Sequence, residues 1–190
     1  MAATSPVTPT PAWLQSARDH WQWRGQDRPS FALTPQPNQT SVWDFPRPPQ
    51  LEPDMREVVI HWGKLEVART CRAIKVLETS HPPSFYIPWT DVASHLLQQQ
   101  TGSSFCEWKG PAQYWSLVNG QDRLNGIAWS YPRPMEGAAA LAECVAFYPK
   151  GLRCTVDGAA VSPQSGGFYG GWITPDLAGP FKGEPGSGSW

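Results

Sequence analysis

The stretch VLETSHPPSFYIPWTD, Val76 to Asp91, sets Glu78, His81 and Asp91 beside the rings of Tyr86 and Trp89. Carboxylates and an imidazole next to an apolar wall are suited to acid/base chemistry, because burial and nearby charge shift their proton affinities. Further along, CEWKGPAQYWS holds Lys109 between Trp108 and Gly110. Glu78, His81, Asp91 and Lys109 are therefore the catalytic candidates. A plainer use exists for each. Pro82 and Pro83 push His81 out of helical conformation, so Glu78 and His81 need not share a face. Glu78 and Asp91 can instead satisfy backbone N–H groups of their own turns.

The elements that must position these residues read as antiparallel sheet. EVVIHW and LEVAR alternate around a tight turn near Gly63-Lys64, which predicts a hairpin. Asn119-Gly120, suited to a type I′ turn, joins AQYWSLV to RLNGIAWSY, and Asp157-Gly158 joins LRCTV to AAV. In the second hairpin, Ala112, Tyr114 and Ser116 face opposite Gln113, Trp115 and Leu117. Pro134 can open a short helix, MEGAAALAEC, with Ala138, Leu141 and Val145 on one face. An N-terminal helix is expected with Thr10 as cap, Pro11 at its first position and Gly25 as its stop, and with Trp13, Leu14, Ala17 and Trp21 on one face.

Ten of the 21 prolines precede residue 54 and eight of the 17 glycines follow residue 162, so the folded core is expected between them. The chain divides into a proline-rich extension with one helix (1–53), a core β domain (54–161) and a glycine-rich tail (162–190). SVWDFPRPP reads as an extended strap, and both extensions carry too many rings for free linkers, so they are expected to pack on the core.

The net charge of −1, with no dense block of Lys or Arg, argues against nucleic acid and anionic membrane as partners. No apolar run approaches the roughly 18 residues of a membrane span, and the start MAATSPVTPTPAW lacks the features of a signal peptide, so a soluble cytoplasmic protein is expected. The four cysteines include no C-x-x-C pair, so neither a metal nor a cofactor is called for. Cys71, Cys144 and Cys154 read as small buried hydrophobes. Cys106, beside Lys109, is the one whose thiolate a cation could stabilise.

The blocks LETSHPPSFYIPWTDV, CEWKGPAQYWS, AWSYPRP and VAFYP, in this order and spacing, resemble the domain-of-unknown-function 427 family, also filed as nucleotidyltransferase-like. The strap and the tail GGFYGGWITPDLAGPFKGEPGSGSW resemble its long-tailed branch from photosynthetic bacteria. Trp89, Glu107-Trp108 and Ser84-Phe85 depart from the family pattern and reshape the pocket wall. The resemblance implies a mainly β, β-tent-like architecture similar to methionine sulfoxide reductase B and the thalidomide-binding domain of cereblon. It also picks out a ligand cage of Tyr86, Lys109, Trp115, Trp129 and Tyr131. In that cage Trp115 and Trp129 would stack on a ligand, Tyr86 and Tyr131 would offer hydroxyls, and Lys109 would meet a charged or carbonyl edge. Both tryptophans have core packing as the commoner alternative.

Three functions follow. A domain binding a small planar polar ligand is the leading expectation. An enzyme, nucleotidyltransferase-like or acid/base, is the alternative, although no D-x-D cluster or phosphate loop is visible. A protein-interaction module using the tails is the third.

Overall fold

Alternation in the sequence becomes two antiparallel sheets that share one apolar layer. The structure, a computed structural model, describes residues 11–190; Thr10, the expected helix cap, lies outside the described residues. The larger sheet has seven strands, in the spatial order Gln50–Asp54, Ala73–Leu77, Ser84–Pro88, Cys144–Phe147, Asp122–Ser130, Gly110–Asn119 and Leu97–Cys106. The smaller sheet orders Ala159–Ala160, Arg153–Val156, Val58–Trp62 and Leu65–Thr70. The fold is mainly β, and the sheets stay open rather than closing into a barrel.

Period-two pleating decides what each face holds. Val58 and Ile60 from the small sheet meet Phe85, Ile87, Val145 and Phe147 from the large one in a fully dry layer. On the other face of the large sheet, the same strands present Tyr86, Cys144 and Ala146, joined by Trp129 and Tyr131. Most of the candidate site residues sit on this second face.

All three expected hairpins form. At Asp157-Gly158 both residues take positive φ, 48° and 77°, as a type I′ turn requires. At the second hairpin Asn119 pairs with Asp122, so the loop is Gly120-Gln121, one residue further on than expected, and only Gly120 has positive φ.

The helices differ from expectation. The N-terminal helix spans only Trp13–Asp19 and has no side-chain cap. It ends well before Gly25 because the Arg24 guanidinium donates to the carbonyls of Arg18 and Trp21, which holds the following residues in a turn. Leu14 is buried, whereas Trp13 is 62% exposed and touches Phe105 at its edge. The segment after Pro134 is a 3-10 helix, Glu136–Leu141, whose i and i+3 positions Ala138 and Leu141 point to the sheet.

The two extensions fold onto the core and onto each other. Val42, Trp43 and Phe45 of the strap pack with Leu77 of the core and Leu177 of the tail, and Trp190 meets Trp43 edge-on at 5.2 Å. Thr40–Ser41 pairs in parallel with Leu177–Ala178. Trp172 is wholly buried, with its indole N–H donating to the Phe147 carbonyl.

Candidate functional site

The floor of the site is a row of paired residues across five strands: Ile74, Tyr86, Ala146, Trp129 and Tyr114. Ala146 is the small member, and strands two apart are roughly 10 Å from each other. The long side chains on either side close over it, so that the Trp129 indole N–H donates to the Tyr86 hydroxyl at 2.9 Å, with the rings nearly perpendicular. Tyr148 lies 4.5 Å from the Trp129 ring and Tyr131 lies 6.3 Å from Tyr86.

The rim comes from turns. Cys106 pairs with Gly110 across a three-residue loop, Glu107–Lys109, which puts Trp108 and Lys109 at a hairpin tip. Gly110 takes φ +96°, and a Cβ there would crowd Met135, so glycine is required. The opposite rim is the corner Glu78–Pro83. The strap holds it through Thr79 Oγ1 donating to the Phe45 carbonyl and Ser80 N–H donating to the Val42 carbonyl. The tail holds it through Lys182 N–H on the Ser80 carbonyl and Trp172 N–H on the Pro83 carbonyl. Ser80, at φ +70°, is bent into a left-handed conformation that only such anchoring sustains.

Together these walls enclose a chamber of about 510 Å³. Trp13, Leu14 and Trp21 close one side, and Phe168, Tyr169 and Gly170 of the tail close another. Gly170 lies flat against Trp129, where any Cβ would stand 2.1 Å from the ring.

Three of the four catalytic candidates line this chamber. Glu78 Oε1 accepts from Arg47 at 3.3 Å, and its other oxygen lies 3.9 Å from Lys109 Nζ. Burial pulls the Glu78 carboxyl up, but attraction to His81 when that imidazole is protonated, and to Lys109 and Arg47, outweighs it and holds the group below its ordinary range. Burial holds His81 below its ordinary value despite Glu78, which leaves the imidazole neutral at neutral pH. Its Nδ1 lies 3.0 Å from the Thr79 carbonyl, a contact only an N–H can satisfy, so Nε2 is left as an acceptor. Burial would lower Lys109, but Cys106, Tyr86 and Glu78 beside it raise its affinity for the proton. Burial likewise keeps Tyr86 and Tyr131 in their neutral, hydrogen-bonding form.

Asp91 stands apart. It accepts from Thr70 Oγ1 at 2.6 Å and pairs with Arg72, and these bonds hold its carboxyl low; it is a turn anchor on the far side of the sheet system. Of the cage residues, Tyr86, Lys109, Trp129 and Tyr131 line the chamber. Trp115 does not. It pairs with Ala128, so the pleat sends it to the opposite face, where it meets Trp89 edge-on at 5.0 Å and donates to Ser130 Oγ. Trp89 goes with it.

Glu107, Trp108 and Ser84 line the chamber, as expected of the pocket wall, whereas Phe85 turns into the dry layer. The sequence reading missed Tyr114 and Tyr148 as chamber residues, although the alternation that separates Tyr114 from Trp115 was visible. Phe168 and Tyr169 carried no signal beyond being aromatic, and Trp21, expected on the helix face, lies past the end of the helix. Cys71 is exposed rather than buried, since it falls in the turn between two strands, and all four cysteines are free thiols. Burial pushes Cys154 up to about 12 and Cys144 up to about 11, which makes both inert. Cys106 lies in the chamber wall. Among the described residues, no group of three or more His, Cys, Asp and Glu is arranged to hold a metal, and no helix is long and apolar enough to cross a membrane.

An open two-sheet β fold with an aromatic chamber on one face defines the class of protein. Residues 50–161, more than half of the chain, match the model of the domain of unknown function DUF427, and the protein belongs to that family. No curated protein matches the chain.

Proposed function

We propose that the protein binds a small planar polar molecule in this chamber. The observation that carries the reading is a partly buried carboxylate and ammonium, Glu78 and Lys109, lining a ring-walled cavity of about 510 Å³. Pockets for small ligands share that size and that mixture of apolar wall and few polar groups. Trp129 and Tyr148 supply stacking surface, Tyr86 and Tyr131 supply hydroxyls, and Lys109 meets the polar edge. Trp115 has no part in it.

The same proposal takes 54–161 as the core domain and the two extensions as parts of the binding site, in a cytoplasmic protein with no nucleic-acid partner. Docking of both extensions on their own core speaks against their serving chiefly to capture another protein.

Native mass spectrometry of the protein from its own source should reveal an adduct of small-molecule mass. A panel of planar polar compounds should include some that bind saturably, and Trp129→Ala should abolish that binding. An adduct-free protein that binds nothing in the panel would sink the proposal.

An acid/base enzyme is the second reading, favoured by His81, a chamber residue beside Glu78 and Lys109 whose Nε2 has no hydrogen-bond partner among the described residues. On that reading His81→Asn retains ligand binding and loses turnover. Equal turnover by both proteins would rule His81 out.

A further inference from the structure

We propose that Cys106 is a covalent capture site, its thiol adding to conjugated carbonyl compounds that enter the chamber. The inference rests on the ligand-binding reading and adds to it a bond-forming residue and a chemical class of ligand. It stands on what surrounds one sulfur and on which protons the neighbouring groups can give.

Of the four cysteines, Cys106 is the one that lines the chamber, where it is half-buried. It pairs with Gly110 across the three-residue hairpin tip that carries Lys109. Lys109 and Tyr131, the latter just past the strand Asp122–Ser130, both hydrogen-bond the sulfur, and both line the same cavity. An ammonium has only donors to offer, three of them, which lets Lys109 serve Cys106 as well as Glu78 at 3.9 Å. Burial opposes loss of the Tyr131 proton, so the phenol is a second donor. A sulfur flanked in this way is stabilised when it carries negative charge, the form in which it attacks carbon.

The other three cysteines lack this setting. Cys144 turns its thiol to the Ala140 carbonyl, Cys154 is sealed in the dry layer, and Cys71 is exposed in a turn. Cys71 is therefore a reference for an ordinary accessible thiol in the same molecule.

The neighbours also select the reaction. Displacement at an ester or amide needs a proton for the leaving group. Burial keeps His81 neutral with its N–H on the Thr79 carbonyl, and Lys109 and Tyr131 hold their protons tightly. Conjugate addition expels no group. The sulfur–carbon bond forms at the β-carbon as the C=C π bond breaks, and the electron pair moves onto the carbonyl oxygen, where a nearby ammonium stabilises it. The thiol proton passes to water and an equivalent one returns to the α-carbon, so nothing is oxidised or reduced. The rings around the chamber suit a planar conjugated body for the ligand.

The test uses benzylideneacetone, a planar conjugated ketone, and 4-phenyl-2-butanone, its saturated counterpart, which can bind but not add. Peptide mass mapping after timed exposure of the full chain reads the rate at each cysteine. At neutral pH Cys106 should react with benzylideneacetone at least about tenfold faster than Cys71. Lys109→Met should abolish that advantage, and Tyr131→Phe, which keeps the ring and removes the hydroxyl, should slow Cys106 by about fivefold. Calorimetric titration with 4-phenyl-2-butanone reads binding alone. Saturable binding of that ketone with Cys106 reacting no faster than Cys71 overturns the covalent site and leaves the ligand chamber standing. Neither binding nor preferential reaction at millimolar concentration overturns both. An advantage that survives Lys109→Met removes Lys109 from the site and the proposal with it. Should Lys109→Met fail to fold, Tyr131→Phe decides, and an unchanged rate there is equally fatal.

Discussion

Glu78 Oε2 lies 3.9 Å from Lys109 Nζ, although the two residues come from different turns at opposite rims of the chamber. The pair is asymmetric, because Glu78 also holds Arg47, which is 4% exposed. Removing the carboxylate strands a buried guanidinium and a partly buried ammonium, whereas removing the lysine leaves Glu78 with a partner. Glu78→Ala should therefore cost about 3–5 kcal/mol and Lys109→Met about 1 kcal/mol or less. Denaturant midpoints of the two variants check the order, and equal losses would contradict it.

The same pair sets a pH dependence. Glu78 has a folded-state pKa below its ordinary 4.5, so its contribution is present above that value and is lost as pH falls through the folded one. Lys109 is raised above its ordinary 10.5, so its contribution is full below that value and is lost only as pH climbs beyond it. Between these limits the pair is flat. In stability measured from pH 7 down to pH 2, Glu78→Gln should show a shallower fall below about pH 4.5 than the unmodified protein. Parallel curves would show that Glu78 is not held low.

Trp115 and Trp129 are the two tryptophans of one hairpin, and they should separate cleanly in mutagenesis. Trp115→Ala empties packing against Trp89 and should cost about 3 kcal/mol of stability, with planar-ligand affinity unchanged. Trp129→Ala should lose ligand binding outright. Titrations run beside unfolding curves distinguish them, and a Trp115 variant with lost affinity would contradict the assignment of faces.

Gly170→Ala forces a Cβ to 2.1 Å from the Trp129 ring, so the tail must lift from the chamber. Overpacking of this kind costs about 1–3 kcal/mol. Limited proteolysis should then cut near Phe168 and Tyr169 sooner than in the unmodified protein. An unchanged digestion pattern would mean that the tail does not close this wall.

The Lys182 ammonium donates to the carbonyls of Ser187, Gly188 and Trp190, which locks the C-terminal turn and sets Trp190 against Trp43. Lys182→Met removes these charged bonds and should cost about 1.5–3 kcal/mol. Near-ultraviolet circular dichroism should lose part of its tryptophan signal. Unaltered spectra would show that the Trp190 contact stands without the lysine.

Local pattern determined much of this protein. Alternation in EVVIHW and LEVAR, the Asp157-Gly158 turn and the blocks around Lys109 and Tyr131 specified strands, hairpins and family, because pleating and turn geometry act over a few residues. Even the separation of Trp115 from Trp129 was present. Across a two-residue loop, odd-numbered positions pair with even-numbered ones, so two odd-numbered tryptophans fall on opposite faces. A one-residue bulge would have reversed that, and only the folded sheet shows that the irregularity sets Ser116 against Asn125, Gly126 and Ile127 and so preserves the alternation. The assembly of the chamber was a tertiary decision throughout. Arg47 reaches Glu78, Ala146 opens room for Tyr86 to meet Trp129, and Gly170 covers the ring, because packing between distant segments, rather than spacing along the chain, brings those groups together.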